Sequence, residues 1–496
     1  MSHVVIRHEM DDSIPALDEI FIGGQWRKPL SDRRWDVIDP STEEKLTTVA
    51  LPSEADADQA VAEARQAFDR GPWPRMSVQE RIAIVRRWTE AMEARADDVV
   101  RAWAIETGVA VSSGEIINKA VPRMTWATSL AAAADLPWEE DRGDAIVRRE
   151  PTGVVLAVLT YNGPLSLIAM KVVPALLAGC TVIVKHAPET QFCARIVAEA
   201  SREVGFPPGV LSFLPADTPV TQYLVSNAGI DMVTVTGSQA IARDVIIRTA
   251  PRLARTALEL GGKSPAIIGE DADFATVVPN VAEGAQSMSG QICVALSRVI
   301  VPTSRYQEFA DALVSYYADR KIGDPLDPSV WVGPLAVERA VERTKGYIAG
   351  AVAQGATIVC GGKRPGHLDR GYFFEPTVLT NVNNQMTVAR EEVFGPCTVL
   401  IPYDGLDEAI EIANDTVYGL AASVYTSNNH VALEVARKLR SGTVGVQIAG
   451  MSLSQPFGGV KQSGWGRECG PEGILEFTDI KQVLVSGGAS FHQAAS

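Results

Sequence analysis

Cysteine is scarce in this 496-residue chain, and its six copies are scattered: Cys180, Cys193, Cys293, Cys360, Cys397 and Cys469. No two stand at C-x-x-C spacing, and the six histidines are equally dispersed. A zinc site, a disulfide framework and a local Cys-His hydrolase signature are all disfavoured; no metal is expected, and the thiols fit a reducing compartment. Basic residues are in deficit, 45 against 60 acidic ones, for a net charge of −15. A nucleic-acid footprint would need clustered Lys and Arg, so no such partner is expected. Long apolar runs are missing as well. The longest uncharged stretch, Gly153 to Met170, is broken by Asn162-Gly163-Pro164 and stops at Lys171. A membrane span needs ~20 consecutive apolar residues, so none is expected. Met1 to Asp12 mixes His, Arg, Glu and Asp and lacks the apolar centre of a signal peptide. The expectation is a soluble, cytoplasmic protein without internal repeats.

What is present is ordinary globular material, 46% hydrophobic and 21% charged, in a chain too long for one core. Phe21 to Pro40 reads as short strands joined by Gly-Gly and Asp-Pro turns. From Glu54 the spacing of Ala60, Val61, Ala64, Ala67 and Phe68 predicts a helix, and Glu80 to Thr107 continues the helical character up to Gly108. Near position 150 the period changes. Val154–Leu159, Thr181–Val184, Val210–Leu214 and Asp231–Thr236 are apolar strands without polar alternation, separated by helical stretches. That pattern predicts a parallel sheet covered on both faces, a doubly wound nucleotide-binding domain. The alternation resumes at Ala266–Ile268, Ser297–Val301, Thr398–Ile401 and Ala421–Tyr425, predicting a second α/β domain. Asp144–Arg149 and the tail Gln482–Ser486 can pair as strands outside both cores, and a partner subunit is one way to cover their edges.

The residues with chemical potential are few. Cys293 follows Ser289-Gly290-Gln291, whereas Cys180, Cys360 and Cys397 sit in or beside apolar strands where a thiolate is costly. An inert, buried thiol remains the commoner fate of such a residue. Glu259 lies in Ala257-Leu-Glu-Leu-Gly-Gly262, near the end of an apolar strand. It is either a solvated strand residue or, in an apolar pocket, a carboxyl shifted toward the range of a general base. A thiol nucleophile and a base to activate water are the pair that aldehyde oxidation through a thioester requires. Asn162 serves a turn or donates to an oxyanion. Lys185 ends the second strand, as a surface charge or a ribose donor. Gly237-Ser238 opens a helix, as a cap or a pyrophosphate seat. The G-x-G-x-x-G fingerprint is absent.

Taken together, Tyr161-Asn-Gly-Pro164, Ala178-Gly-Cys-Thr-Val-Ile-Val-Lys185, Val235-Thr-Gly-Ser238, Leu258-Glu-Leu-Gly-Gly-Lys-Ser-Pro265, Gly290-Gln-Ile-Cys293, Glu391-Glu-Val-Phe-Gly-Pro396 and Pro456-Phe-Gly-Gly-Val-Lys-Gln-Ser-Gly-Trp-Gly-Arg467 resemble the aldehyde dehydrogenase superfamily. The resemblance spans nearly the whole chain. It implies an α/β fold in three parts: a dinucleotide-binding domain (1–132 and 152–260), a catalytic domain (261–455), and an oligomerisation arm with the tail (133–151 and 476–496). A homodimer or homotetramer is implied too. So is NAD(P)-dependent oxidation of a small-molecule aldehyde, with Cys293 as nucleophile, Glu259 as base and Asn162 as oxyanion donor. Lys185, Gly237, Ser238, Leu260, Glu392 and Phe394 fall at cofactor positions. Tyr161, Gly163, Met170, Ser287 and Phe457 fall in the substrate tunnel. Aromatic residues are common in the family at 163, 170 and 287, so a wider entrance is expected here. Pro188 stands where many NAD-selective members carry glutamate, which removes a carboxylate that would repel a 2′-phosphate, so NADP use is expected alongside NAD as the default. A CoA-acylating relative and a non-catalytic binding relative are the competing readings.

Overall fold

Two parallel sheets organise the computed structural model, which describes Ile6, His8 and residues 14–484. The first sheet has five parallel strands in the spatial order Arg255–Leu260, Met232–Gly237, Val154–Val158, Thr181–Lys185, Leu211–Phe213. Antiparallel strands extend it at both ends: Gly464–Trp465 on one side, Ile20–Ile22 and Gln25–Arg27 on the other. Winding reverses between Val154–Val158 and Met232–Gly237, which is the topological switch point where ligands gather at strand carboxyl ends. The second sheet orders Thr357–Cys360, Thr377–Thr380, Cys397–Tyr403, Arg298–Pro302, Pro265–Ile268, Ala421–Tyr425 and Thr443–Val446. All its pairings are parallel except that of the edge strand Thr357–Cys360. The doubly wound α/β reading of the sequence is what the structure contains.

The absence of polar alternation in these strands has a direct cause. Val155 and Ala157 belong to one apolar core, and Val154, Leu156 and Val158 to another on the opposite face. In the second sheet Val299 and Val301 face one core and Ile300 another. Each fully buried Val, Leu or Ile contributes roughly 1.5–3 kcal/mol, so both faces must be apolar for helices to cover them.

Local departures from the sequence reading are informative. The helical run Glu80 to Thr107 is two helices, Val78–Glu93 and Ala96–Thr107, broken where Arg95 leaves helical geometry at ψ 8°. Both then pack on the helix Gln191–Val204. The stretch Pro164 to Ala178 widens to a π-turn over Ile168–Val172, and a second π-turn spans Ile116–Ala120. Each directly precedes a proline-containing turn, at Pro174 and Pro122. Proline lacks the N–H that would close the regular ladder four residues back, so the helix dilates there. A third sheet joins Thr478–Leu484, Ala145–Pro151 and Glu139–Asp141. The expected pairing is present from Gln482 opposite Val147 to Leu484 opposite Ala145, and it begins earlier, at Thr478. Ser486 lies outside the described residues.

Candidate active site

A cleft of about 890 Å³ opens where the carboxyl ends of the first sheet meet the second domain. Tyr161, Asn162, Gly237, Ser238, Leu260, Cys293, Glu392 and Phe394 all line it. Asn162 is delivered by the turn after the central strand Val154–Val158, and Ser238 by the end of the neighbouring strand Met232–Gly237. These are the two sides of the switch point.

Cys293 stands on a loop held by unusual backbone. Met288 and Ser289 are both left-handed, at φ 54° and 58°, and Ser289 Oγ donates to the Gly333 carbonyl. Gly290 follows at φ 73°, where a Cβ would come within 2.3 Å of the Gly395 carbonyl oxygen, so only glycine fits. Gln291 then ties the loop down. Its amide oxygen accepts from Tyr161 Oη and from the Ala336 N–H, both at 3.1 Å, and its Nε2 donates to the Met288 carbonyl. Asn162 Nδ2 donates to the Gln291 carbonyl at 3.1 Å, while Thr160 Oγ1 donates to Asn162 Oδ1 at 2.6 Å. The amide is thereby oriented with its N–H2 toward the cysteine loop. Among the six cysteines only Cys293 lines the cleft; Cys180, Cys193 and Cys397 are buried elsewhere, and Cys469 is buried in an apolar cluster against which Cys293 packs. Burial pushes the Cys293 thiol up to about 12, and the carboxylates Glu392, Glu259 and Glu468 add to the shift.

Glu259 does not line the cleft. It is buried at the end of the strand Arg255–Leu260, and neither carboxylate oxygen has a hydrogen-bond partner. Its room is provided by Gly458, at φ 158°, where a Cβ would lie 2.7 Å from Glu259 Oε1. Burial, then the neighbouring Glu468, holds its carboxyl well above the usual range, and Lys171 opposes the shift. Lys171 is wholly buried on the dilated turn Ile168–Val172, 2.5 Å from Glu468 Oε1, and also donates to Thr234 Oγ1. Sequence reasoning missed Lys171 and Glu468. The only signal was a lysine closing an uncharged run and an acid directly after the motif's Arg467.

Polar groups that could meet a dinucleotide line the cleft, with Lys185 outside that lining at the end of the strand Thr181–Lys185. Lys185 is buried enough to bring its ammonium down to about 8, with Glu189 and Asp217 opposing. Thr236 Oγ1 is buried in the cleft wall without a partner. Ser238 caps the helix Gln239–Thr249 by accepting from the Ile241 N–H, so the capping reading holds. That role leaves the first backbone N–H groups of the helix at the cleft, where Gln239 and Ala240 are part of the lining. Gly237 carries no steric demand, since a Cβ would meet only Ile241, at 3.5 Å. Gly261 does, because a Cβ there would overlap Glu392 Oε2 at 2.1 Å. Glu392 accepts from the Gly262 N–H at 3.2 Å, and burial raises its carboxyl to about 7. Arg343, also unforeseen, donates to the Val393 and Phe394 carbonyls and so fixes that loop. Phe394 meets Tyr161 edge-to-face at 6.3 Å.

Of the tunnel positions, Tyr161 faces the cleft, while Met170 and Phe457 join an apolar cluster against which Cys293 packs. Gly163 lies under Ile117, and Ser287 is half-buried at the end of the helix Phe274–Gln286. The reading of Pro188 needs one correction. Proline at 188 does not leave the region without a carboxylate, because Glu189, one residue on, acts on Lys185 and is bound by Arg339 at 2.6 Å. Among the described residues no group of metal-ligating side chains is present.

Residues 26–483 match the sequence model of the Aldehyde dehydrogenase family. The chain is 38% identical over 475 residues to a geranial dehydrogenase of Castellaniella defragrans, covering 94% of this chain and 98% of that one. It is 39% identical over 474 residues, with the same coverage, to a 3-succinoylsemialdehyde-pyridine dehydrogenase of a Pseudomonas species. Its fold superimposes on an aldehyde dehydrogenase of Mycobacterium tuberculosis complexed with NAD+ at a TM-score of 0.92 and 43% identity, covering 94% and 98% of the two chains.

The Lys171–Glu468 pair gives a stability test. Removing one partner of a buried ion pair leaves an uncompensated charge, at a cost of about 3–5 kcal/mol. Lys171→Met is therefore expected to lose about that much in urea unfolding. The deficit should grow as pH rises. Without the ammonium, Glu259 binds its proton still more tightly in the folded state than in the unfolded one, and such a group loses stability as pH rises through its folded pKa. A loss that stays below 1 kcal/mol, or that shrinks with rising pH, contradicts the pairing.

Proposed function

The chain belongs to the aldehyde dehydrogenase family, whose members are NAD(P)-dependent oxidoreductases of aldehydes, and on that premise we propose Cys293 as nucleophile, Asn162 as oxyanion donor and Glu259 as base. The observation that carries the proposal is the joint placement of Cys293 and the Thr160-anchored Asn162 amide in one cleft. The Cys293 S–H proton passes to water, the sulfur bonds the aldehyde carbon, and the carbonyl electron pair moves to oxygen. That oxyanion is met by the Asn162 N–H2 and the Cys293 backbone N–H; one such donor is worth roughly 3 kcal/mol in the transition state. Held by the helix start at Ser238 and by Glu392, a nicotinamide would supply the hydride acceptor needed to oxidise that adduct to a thioester. Glu259 then takes a proton from water as the water oxygen bonds the acyl carbon and the carbon–sulfur bond breaks, releasing the acid.

Lys185, Thr236, the helix start at Ser238 and Glu392 fit a dinucleotide. Between them they offer a ribose donor, a hydroxyl, free N–H groups for pyrophosphate and a carboxylate for a ribose hydroxyl. We assign residues 1–132 and 152–260 to the dinucleotide domain, 261–455 to catalysis, and 133–151 with 476–496 to an arm. Ile480 and Leu484 are 66% and 73% exposed on the arm's outer strand, which supports burial against a second copy in a homodimer or homotetramer. A monomeric mass by light scattering counts against that. No helix among the described residues is long and apolar enough to cross a membrane. All six thiols are unpaired, which supports a cytoplasmic location, and recovery of the protein only from an oxidising compartment counts against it.

Two kinetic tests separate the roles. Glu259→Gln, mixed with aldehyde and NAD in the absence of CoA, should give one rapid equivalent of reduced cofactor followed by steady-state turnover about 10²–10⁴-fold slower. Because the Glu259 carboxyl is raised, it becomes a base only as pH rises, so wild-type kcat should climb with pH and the Gln variant should lose that limb. Near-normal steady-state rates in the variant would remove Glu259 from this role, and dependence of wild-type turnover on CoA would favour the acylating alternative. For cofactor choice, Glu189 beside Lys185 should repel a 2′-phosphate and keep NAD preferred. Glu189→Gln, which also frees Arg339, should raise NADP efficiency relative to NAD by about tenfold. An unchanged ratio would place Glu189 away from the ribose.

A further inference from the structure

We propose that the aldehydes taken by this site are uncharged with apolar tails, and that semialdehydes bearing a second carboxylate and quaternary ammonium aldehydes are poor substrates. The proposal rests on Cys293 being the nucleophile. One side of Cys293 faces the cleft; on the other it packs against a cluster that includes Met170, Leu453 and Phe457, with half-buried Val121, Val294 and Met451 at its margin. None of these side chains carries a charge or a hydrogen-bond donor, so a tail lying there gains only by burying apolar surface.

Two chain segments close on this face from either side. The dilated turn Ile116–Ala120 is pinned over the Asn162 turn, because the Leu165 N–H donates to Asn118 Oδ1 at 3.1 Å and Ser166 Oγ donates to the Ile117 carbonyl. The loop carrying Met451 and Leu453 runs past the helix Phe274–Gln286 so closely that a Cβ on Gly284 would meet the Ala449 Cβ at 2.7 Å. On those two segments Ile116 and Ile448 are 59% and 57% exposed, giving each an apolar outer margin.

Charge recognition is missing from the same face. A carboxylated tail needs a free cation, and the cations on or beside these segments are committed: Lys119 of the turn Ile116–Ala120 pairs with Asp97 and Glu115, and Arg123 with Glu93. Lys171 is wholly buried against Glu468, and Arg467 donates to the Gly459 and Gly466 carbonyls. Behind the thiol lie Glu259, a carboxyl raised by burial, and Glu468, already bound to Lys171; neither offers a partner to a second carboxylate. A quaternary ammonium needs a cage of aromatic faces. The cluster offers one ring, Phe457, and positions 163, 170 and 287 carry Gly, Met and Ser.

The test compares heptanal, pimelic semialdehyde (the same carbon count with a terminal carboxylate), betaine aldehyde and propanal, each with NAD and the purified full chain. Heptanal kcat/KM should exceed that of pimelic semialdehyde by about 30-fold or more, the effect of taking a carboxylate out of water with no cation to meet it. It should exceed betaine aldehyde by at least as much and propanal by about tenfold or more. Met451→Arg, on the half-buried loop, should shift the heptanal to pimelic semialdehyde ratio at least about tenfold toward the anion. Parity between heptanal and either charged aldehyde in the wild type, or an unchanged ratio in Met451→Arg, overturns the substrate inference while leaving the dehydrogenase reading intact. Reduction of NAD with none of the four would instead overturn that reading, and with it the inference that rests on it.

Discussion

Two hydrogen bonds to Gln291 join the two halves of this site: Asn162 Nδ2 donates to its carbonyl and Tyr161 Oη to its side-chain oxygen. Asn162 belongs to the turn that ends the central strand of the first sheet, and Gln291 to the loop that follows a helix packed on the second. Neither sheet alone positions a thiol beside an amide donor. The joint is reinforced through Gln291, whose side chain gathers Tyr161, Met288 and Ala336. A glutamine buried completely must satisfy both ends of its amide, and those partners are drawn from both sides of the interface. Gly290 and the left-handed Met288 and Ser289 let the loop make that turn.

Around this joint the protein holds polar groups dry. Glu259 has no hydrogen-bond partner, Thr236 Oγ1 has none, and Glu392 has a single backbone donor. Burying such groups is unfavourable, and a packed scaffold is what sustains it. The gain is a set of carboxyls that change protonation in a usable range, with Glu392 near 7 and Glu259 raised beside the Lys171–Glu468 pair. A solvated Glu259 would be ionised under all ordinary conditions. Burial and the surrounding carboxylates likewise raise the Cys293 thiol.

Much of the fold was legible because its strands are buried on both faces and therefore read as unbroken apolar runs; Val154–Val158 and Thr181–Lys185 stand where those runs were. The break at Ala94–Arg95 was not legible, since two adjacent helices of similar amphipathicity look like one when no Gly or Pro marks the join. Cys293, Asn162, Ser238, Glu392 and Phe394 sit in recognisable motifs, and the structure gathers them in one cleft. Lys171, Glu468, Gln291 and Arg343 were invisible for a physical reason. Each acts through a partner far away in sequence, and a lone buried lysine or glutamine has no local pattern. Glu189 carries no motif of its own, and one residue of offset from Pro188 moves the carboxylate without removing it.

The most direct measurement is the chemical state of Cys293 during turnover. Glu259→Gln mixed with heptanal and NAD, quenched in acid after the first equivalent of cofactor is reduced, should yield a Cys293 peptide heavier by one heptanoyl group. The gain should be absent when NAD is left out, and the other five cysteines should be unmodified. Stoichiometric cofactor reduction with Cys293 unmodified, or with the acyl group on another residue, would contradict the account.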